Sequence, residues 1–258
     1  MDTLPGLKTK YIGREFIHLA RVNSTNDYLK ENARKLPNLA VVIADSQTQG
    51  RGRSGRSWNS QPGDGLYMSV LLKDADTQAL SRMPLLVALG VRRGLANLCG
   101  KPFQIKWSND LLHEGKKLCG ILCESRLDSG QNILAIGIGI NLRQSREALD
   151  HLGLVYATSL FLATNKPFSQ KETASAICNA LESVLLENSG AALPALLDEY
   201  RKHCVTLGKQ VKITRGSEQI KGRAVDIADD GSLLCEICGQ ILPVLAGEVS
   251  IRGMDGYA

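Results

Sequence analysis

The sequence is poorest in the features that mark membrane, secreted and polyanion-binding proteins. No hydrophobic run among its 258 residues approaches the length needed to cross a bilayer. The N-terminus, Met1-Asp2-Thr3-Leu4-Pro5, lacks the basic-then-apolar pattern of an export signal. The net charge of +5 is modest and its Lys and Arg are spread along the chain, so the clear basic stripe expected of a nucleic-acid binder is missing. Internal repeats and low-complexity segments are also missing. The seven cysteines (Cys99, Cys119, Cys123, Cys178, Cys204, Cys235 and Cys238) are an odd count without an export signal. They argue for reduced thiols and a cytoplasmic location rather than a disulfide framework. Zinc is disfavoured too. On strands, Cys119 and Cys123 would stand about 13 Å apart, and Cys235 and Cys238 would face opposite sides.

What is present is ordinary globular material, 43% hydrophobic and 22% charged, enough for one large domain and a small one. Residues 15–22 read as a first strand. Ser24-Thr25-Asn26-Asp27 then opens a helix with Tyr28, Leu29, Ala33 and Leu36 on one face, a capping-box-like start. Strands are expected over 39–45, 65–72, 103–107, 116–126 and 132–140, the last two joined by the turn Asp128-Ser129-Gly130-Gln131. Helical periodicity runs over 82–98, through Ala174, Ile177, Leu181, Val184 and Leu185, and through Leu193, Leu196, Leu197, Tyr200 and Cys204. Hairpins interrupted by helices predict an α+β fold, a mixed or antiparallel sheet with helices on one face. From about Leu207, short strands over 210–214, 221–227, 232–238, 241–244 and 248–252 alternate with glycine turns and predict a small β-barrel. The expected domains are 1–205 and 206–258.

The most unusual stretch is Gly50-Arg51-Gly52-Arg53-Ser54-Gly55-Arg56-Ser57-Trp58. Its glycines let the backbone bend around a ligand, and its arginines offer planar forks for phosphate or carboxylate. Ordering such a loop is costly, so it is expected to be mobile until an anion arrives. Read literally it satisfies GxGxxG. The dinucleotide fingerprint, however, needs a helix at the last glycine, and here Trp58-Asn59-Ser60-Gln61-Pro62-Gly63 follows. A solvated loop and a nucleic-acid contact remain as competing readings of the motif alone. Lys106-Trp107-Ser108-Asn109-Asp110 sits where an apolar strand turns, and Gly137-Ile138-Gly139-Ile140-Asn141 carries glycines of the kind that mark close approach within strands.

In order the chain reads Ser-Thr-Asn-Asp, GRGRSGRSW, KWSNDLL, KLCGIL and GIGIN. This series closely resembles the biotin protein ligases, also called biotin–[acetyl-CoA-carboxylase] ligases, over residues 15–252. The resemblance implies a class II synthetase-like ligase fold with an SH3-like C-terminal barrel. It implies a two-step reaction with biotin, ATP and Mg²⁺. Biotin is activated as biotinyl-5′-AMP with release of pyrophosphate, then passed to a lysine of the biotin carboxyl carrier domain of a biotin-dependent carboxylase. By that resemblance Ser24, Thr25, Asn26 and Gln47 surround the ureido ring, and Arg51, Gly52 and Arg53 close over biotin and the phosphates. Arg56, Trp58 and Asn109 lie on the nucleotide side, Gly120 admits the biotin tail and Asn141 meets adenine. Lys106, with Arg53 and Arg51, is the catalytic cation, suited to the charge that builds on phosphorus. Ser54 and Ser108 depart from the pattern, the latter standing where proline is usual; its loss is expected to soften the turn. Only 14 residues precede the first expected strand, against about 60 for the DNA-binding domain of many bacterial members. The resemblance thus implies a ligase without repressor function, binding no DNA and no membrane, and often homodimeric through the sheet. Lipoate and octanoate ligases are the nearest rivals, but lack the Gly/Arg loop in this form.

Overall fold

A computed structural model of the chain describes residues 3–74, 77–128, 130–187, 190–246 and 250–253. In chain order it begins with β1 (Phe16–Leu19), α1 (Thr25–Asn32), β2 (Val41–Ala44) and β3 (Gly65–Lys73). Next come α2 (Thr77–Leu80), α3 (Met83–Cys99), β4 (Gln104–Lys106), β5 (Asp110–His113), β6 (Lys116–Asp128) and β7 (Gln131–Asn141). Helices α4 (Arg146–His151), α5 (Leu160–Thr164), α6 (Gln170–Leu186) and α7 (Ala192–His203) follow. The chain then forms β8 (Gln210–Arg215), β9 (Glu218–Ile227), β10 (Leu233–Ile237), β11 (Gln240–Val244) and β12 (Ser250–Gly253).

The first seven strands form one sheet in the order β1-β2-β3-β7-β6-β5-β4. β1 and β2 are parallel and the other neighbours antiparallel, which makes the sheet mixed, as the α+β reading expects. The last five strands form a separate antiparallel sheet, β11-β10-β9-β8-β12, consistent with the SH3-like unit. Of the strand expected over 248–252, residues 248 and 249 lie outside the described residues, as does Ser129 in the turn before β7. Among the described residues no helix is long and apolar enough to cross a membrane.

Side-chain alternation sorts the first sheet into two faces. Val41, Ile43, Met68, Val70, Ile121, Ile136, Ile138 and Ile140 are buried with α3 and α6 in the main core. A smaller cluster on the opposite face packs Val42, Leu71, Ile133 and Ala135 beneath Leu29 and Ala33. The long helices thus stand on one face, as expected, while α1 lies on the other. It covers only part of that face, and the remainder is the floor of a cavity.

Several boundaries differ from the sequence reading. β1 is four residues because the chain leaves the sheet at residue 20, returning only for a single Val22–Gln47 bridge on the way to α1. β5, with the sequence DLLH, is too short for its alternation to register as a pattern. Helices α4 and α5, of six and five residues, are likewise shorter than two helical turns. Ser24 is the N-cap of α1 as expected, with extended backbone, but its side chain makes no capping hydrogen bond.

Candidate active site

The cavity floor is built from what strands leave out. Gly137 and Gly139 of β7 and Gly120 of β6 point toward the α1 face, where a side chain would collide. A Cβ on Gly139 would lie 2.6 Å from Cε2 of Trp58, and one on Gly120 would lie 2.9 Å from Cζ3 of the same ring. A Cβ on Gly137 would lie 2.7 Å from Oδ1 of Asn26. The bare strands therefore seat Trp58 and Asn26. At Gly120 the close neighbour is the Trp58 ring, whereas the resemblance implied the biotin tail.

Residues 50–58 fold as a hairpin over this floor. Gly52 N donates to Arg56 O at 2.7 Å, Trp58 N donates to Gly50 O at 2.8 Å, and Arg51 and Ser57 form an antiparallel bridge. The turn is made by Ser54 (φ 56°) and Gly55 (φ 72°), both left-handed. The sequence led us to expect a mobile loop; in this structure the hairpin is folded against its walls by its own arginines. Arg51 is bidentate on Asp27 at 2.6 and 2.7 Å and also reaches Glu124 at 3.2 Å. Lys30 pairs with both carboxylates at 3.1 and 3.2 Å, closing a four-charge cluster. The guanidinium of Arg51 holds the Asp27 carboxyl down at about 2, against the opposing effect of burial. Burial pushes Glu124 upward, but the Asn26 amide, Lys30 and Arg51 outweigh it and the net shift is down. Arg53 turns to the other wall, where Nη1 donates to Ser108 Oγ and Asn109 Oδ1, each at 2.9 Å. Burial lowers its proton affinity and Asp110 opposes that. Arg56 alone of the three is exposed. Two inward-facing arginines out of three fit a ligand cavity better than a polyanion-binding patch.

At one end of the cavity the N-terminus of α1 presents a linked polar set. Gln47 Oε1 accepts from Thr25 N at 2.9 Å and from Thr25 Oγ1 at 3.2 Å, while its Nε2 donates to Ser60 Oγ at 2.9 Å. Ser69 Oγ, in the middle of β3, lies 2.7 Å from Thr25 Oγ1 and 2.6 Å from Asn26 Oδ1. Asn26 Nδ2 donates to Leu122 O at 3.1 Å and to Glu124 at 2.7 Å, so its amide is engaged by protein groups. Ser24, whose hydroxyl makes no capping bond, lines the cavity.

The opposite end centres on the turn between β4 and β5. Lys106, 5% exposed, ends β4, and Asp110, 8% exposed, starts β5 directly across from it. Asn109 Nδ2 donates to Ile121 O at 2.7 Å, so Asn109 ties the turn to β6 while its oxygen holds Arg53. Lys117 Nζ lies 2.8 Å from Asp110 and 5.4 Å from the centroid of the Trp58 ring. Asn141 Nδ2 donates to Thr158 O at 2.9 Å, and its oxygen accepts weakly from Gln144 at 3.4 Å. Leu152, Leu154, Val155 and Tyr156, all large and exposed, form the rim beside it.

All thirteen site residues expected from the sequence, from Ser24 to Asn141, line this one cavity of about 540 Å³. Of the residues missed by the sequence reading, Lys117 also lines it, while Asp27 and Glu124 stand behind Arg51 at its border. Lys117 opens the KLCGIL motif and could have been found there. Asp27 and Glu124 carried no such signal, because they pair with Arg51 across 24 and 73 residues. Among the described residues no group of three or more His, Cys, Asp or Glu could hold a metal ion.

Comparisons with known proteins agree with this geometry. Residues 18–141 match the Biotin/lipoate A/B protein ligase family, and residues 206–252 match the Biotin protein ligase C terminal domain. The chain is 33% identical over 245 residues to a biotin–[acetyl-CoA-carboxylase] ligase of Mycobacterium tuberculosis, covering 92% of this chain and 88% of that one. It is 30% identical over 249 residues to the bifunctional ligase/repressor BirA of Bacillus subtilis, covering 95% of this chain and 77% of that one. Its fold matches the biotin protein ligase of Aquifex aeolicus, solved in complex with biotin and ATP. The TM-score is 0.80 at 32% identity, covering 93% of this chain and 99% of the other. With both sequence regions and the architecture in agreement, the chain belongs to the biotin protein ligase family.

Proposed function

We propose that this chain activates biotin with ATP and transfers it to a lysine of a biotin carboxyl carrier domain. In the first step a biotin carboxylate oxygen attacks the α-phosphorus of ATP, forming biotinyl-5′-AMP as pyrophosphate leaves. In the second, the acceptor lysine amine attacks the acyl carbon and AMP leaves with the bonding electron pair. The observation that carries this reading is the cavity itself. It holds a polar set at the start of α1, a hairpin of arginines in the middle, and cations beside an apolar rim at the far end.

The chemistry must bring two anions together and hold extra charge on phosphorus, which fixed cations do without reorganisation. Lys106, Arg51 and Arg53 are our proposed catalytic cations, and Lys117, in the cavity between Trp58 and Asp110, joins them. Ser24, Thr25, Asn26, Gln47, Gly52 and Gly120 form the biotin end. Arg56, Trp58, Asn109 and Asn141 form the nucleotide end. The described carboxylates that line or border the cavity are engaged by Arg51, Lys30 and Lys117. Mg²⁺ therefore enters, in our reading, on the phosphates of the nucleotide substrate, in keeping with its preference for phosphate and water over protein cages.

The remaining features are proposals of the same standing. A catalytic unit over 1–205 and a barrel unit over 206–258 are supported by the second sheet beginning at Gln210. Seven free thiols support a reducing, cytoplasmic compartment. Homodimerisation through the sheet rests on the family resemblance alone.

Biotin-dependent ATP–pyrophosphate exchange tests the activity, with lipoate and octanoate as parallel acids. Exchange with biotin alone is expected, falling at least about a hundredfold in Lys117→Ala and in Lys106→Ala. Exchange with lipoate instead would move the chain to the rival ligases. Full activity in both lysine variants would remove lysine from the chemical step.

A further inference from the structure

Ser108 stands where the family pattern leads one to expect proline, and it is fully buried. Its hydroxyl accepts a bond that proline lacks the atom to make, from Arg53 Nη1 at 2.9 Å. Asn109 Oδ1 accepts from the same nitrogen at 2.9 Å, so two acceptors fix the plane of the guanidinium.

The hydroxyl is itself held in place by bonds that do not depend on it. Trp107 N donates to Thr206 Oγ1 at 2.9 Å, the Trp107 indole donates to Gly231 O at 3.1 Å, and Tyr200 OH donates to Ser108 O at 3.2 Å. The turn is thereby anchored to α7 and to the loop before β10. The hydroxyl therefore meets the guanidinium of Arg53 from a fixed position and orients it along the cavity wall.

We propose that Ser108 is a positioning residue for the adenylation step, acting through Arg53. The softened turn expected from the loss of proline is instead a turn anchored on both sides, with a hydroxyl aimed at the loop. This inference rests on the biotin-activating reading above, and its test separates the two.

Ser108→Ala removes the hydroxyl and keeps every backbone bond of the turn. Pyrophosphate exchange is measured for the unmodified chain, Ser108→Ala, Arg53→Ala and the double variant, and trypsin cleavage after Arg53 is timed without ligand. Ser108→Ala is expected to lower kcat for exchange about tenfold, the value of one hydrogen bond to a charged group. In the Arg53→Ala background the same change is expected to alter the rate less than about twofold, because its effect passes through Arg53. Cleavage after Arg53 is expected to quicken several-fold. Unchanged exchange in Ser108→Ala, or losses that multiply in the double variant, would overturn the proposal. If the unmodified chain fails to exchange with biotin, the functional reading falls and the adenylation role of Ser108 falls with it, whereas exchange in the unmodified chain that Ser108→Ala leaves intact overturns the role of Ser108 alone.

Discussion

The two faces of the seven-stranded sheet carry opposite instructions within the same strands. Along β7, Leu134, Ile136, Ile138 and Ile140 fill the core under α3 and α6, while Ala135, Gly137, Gly139 and Asn141 alternate with them on the other face. On β3 the same division puts Met68 and Val70 in the core and Tyr67 and Ser69 on the cavity side. On β6 it separates Ile121 from Gly120 and Glu124. The helical face demands volume, since each missing methylene leaves a void. The cavity face demands that volume be withheld, so that Trp58 and Asn26 can lie against the backbone. Stability and function are thus written in alternate letters of one strand.

Three substitutions test that division. The largest effect is expected from Ile140→Ala on the helical face, a loss of about 2–5 kcal/mol of stability with the exchange activity of the remaining folded protein unchanged. Denaturant unfolding paired with active-site titration checks it; a specific activity that fell in step with stability would dissolve the distinction between the faces. Next is its neighbour Gly139→Ala on the cavity face. The new Cβ must displace the Trp58 ring, so exchange is expected to slow roughly 10- to 100-fold with little change in midpoint temperature. The smallest concerns the charge cluster bordering the cavity. Because the folded-state carboxyl of Asp27 is held at about 2, below its ordinary 3.8, its pairing stabilises the fold above the ordinary value. That contribution is lost as pH falls toward 2. Solvent screening keeps it below about 1 kcal/mol, so Asp27→Asn is expected to make the acid side of the stability profile only slightly shallower. An unchanged profile would mean that Arg51 is held by Glu124 and not by Asp27.

Much of this was legible beforehand. The alternation of strand residues, the helical stripes through Val87 and Ile177, and the start of an all-β unit near Leu207 follow from local chemistry. So does the inventory of the site, because its glycines, arginines and polar turns fall in short runs. The misreadings share a cause. Ser24-Thr25-Asn26-Asp27 looks like a capping box, yet tertiary partners take Thr25, Asn26 and Asp27. The partner of the Ser108 hydroxyl was out of reach because it lies 55 residues away. Lys117 went unremarked because nothing near it in the sequence says that Trp58 and Asp110 will flank it.

The sequence by itself determined which residues are buried and which chemical groups are available, since periodicity and side-chain chemistry are properties of neighbours along the chain. Only the tertiary structure decided which cation meets which acceptor. Strand order β3-β7-β6-β5 brings Tyr67, Gly139, Gly120 and Asp110 side by side from four separate segments. A hydrogen bond depends on distances of about 3 Å, and distances on that scale exist only once the sheet has been assembled.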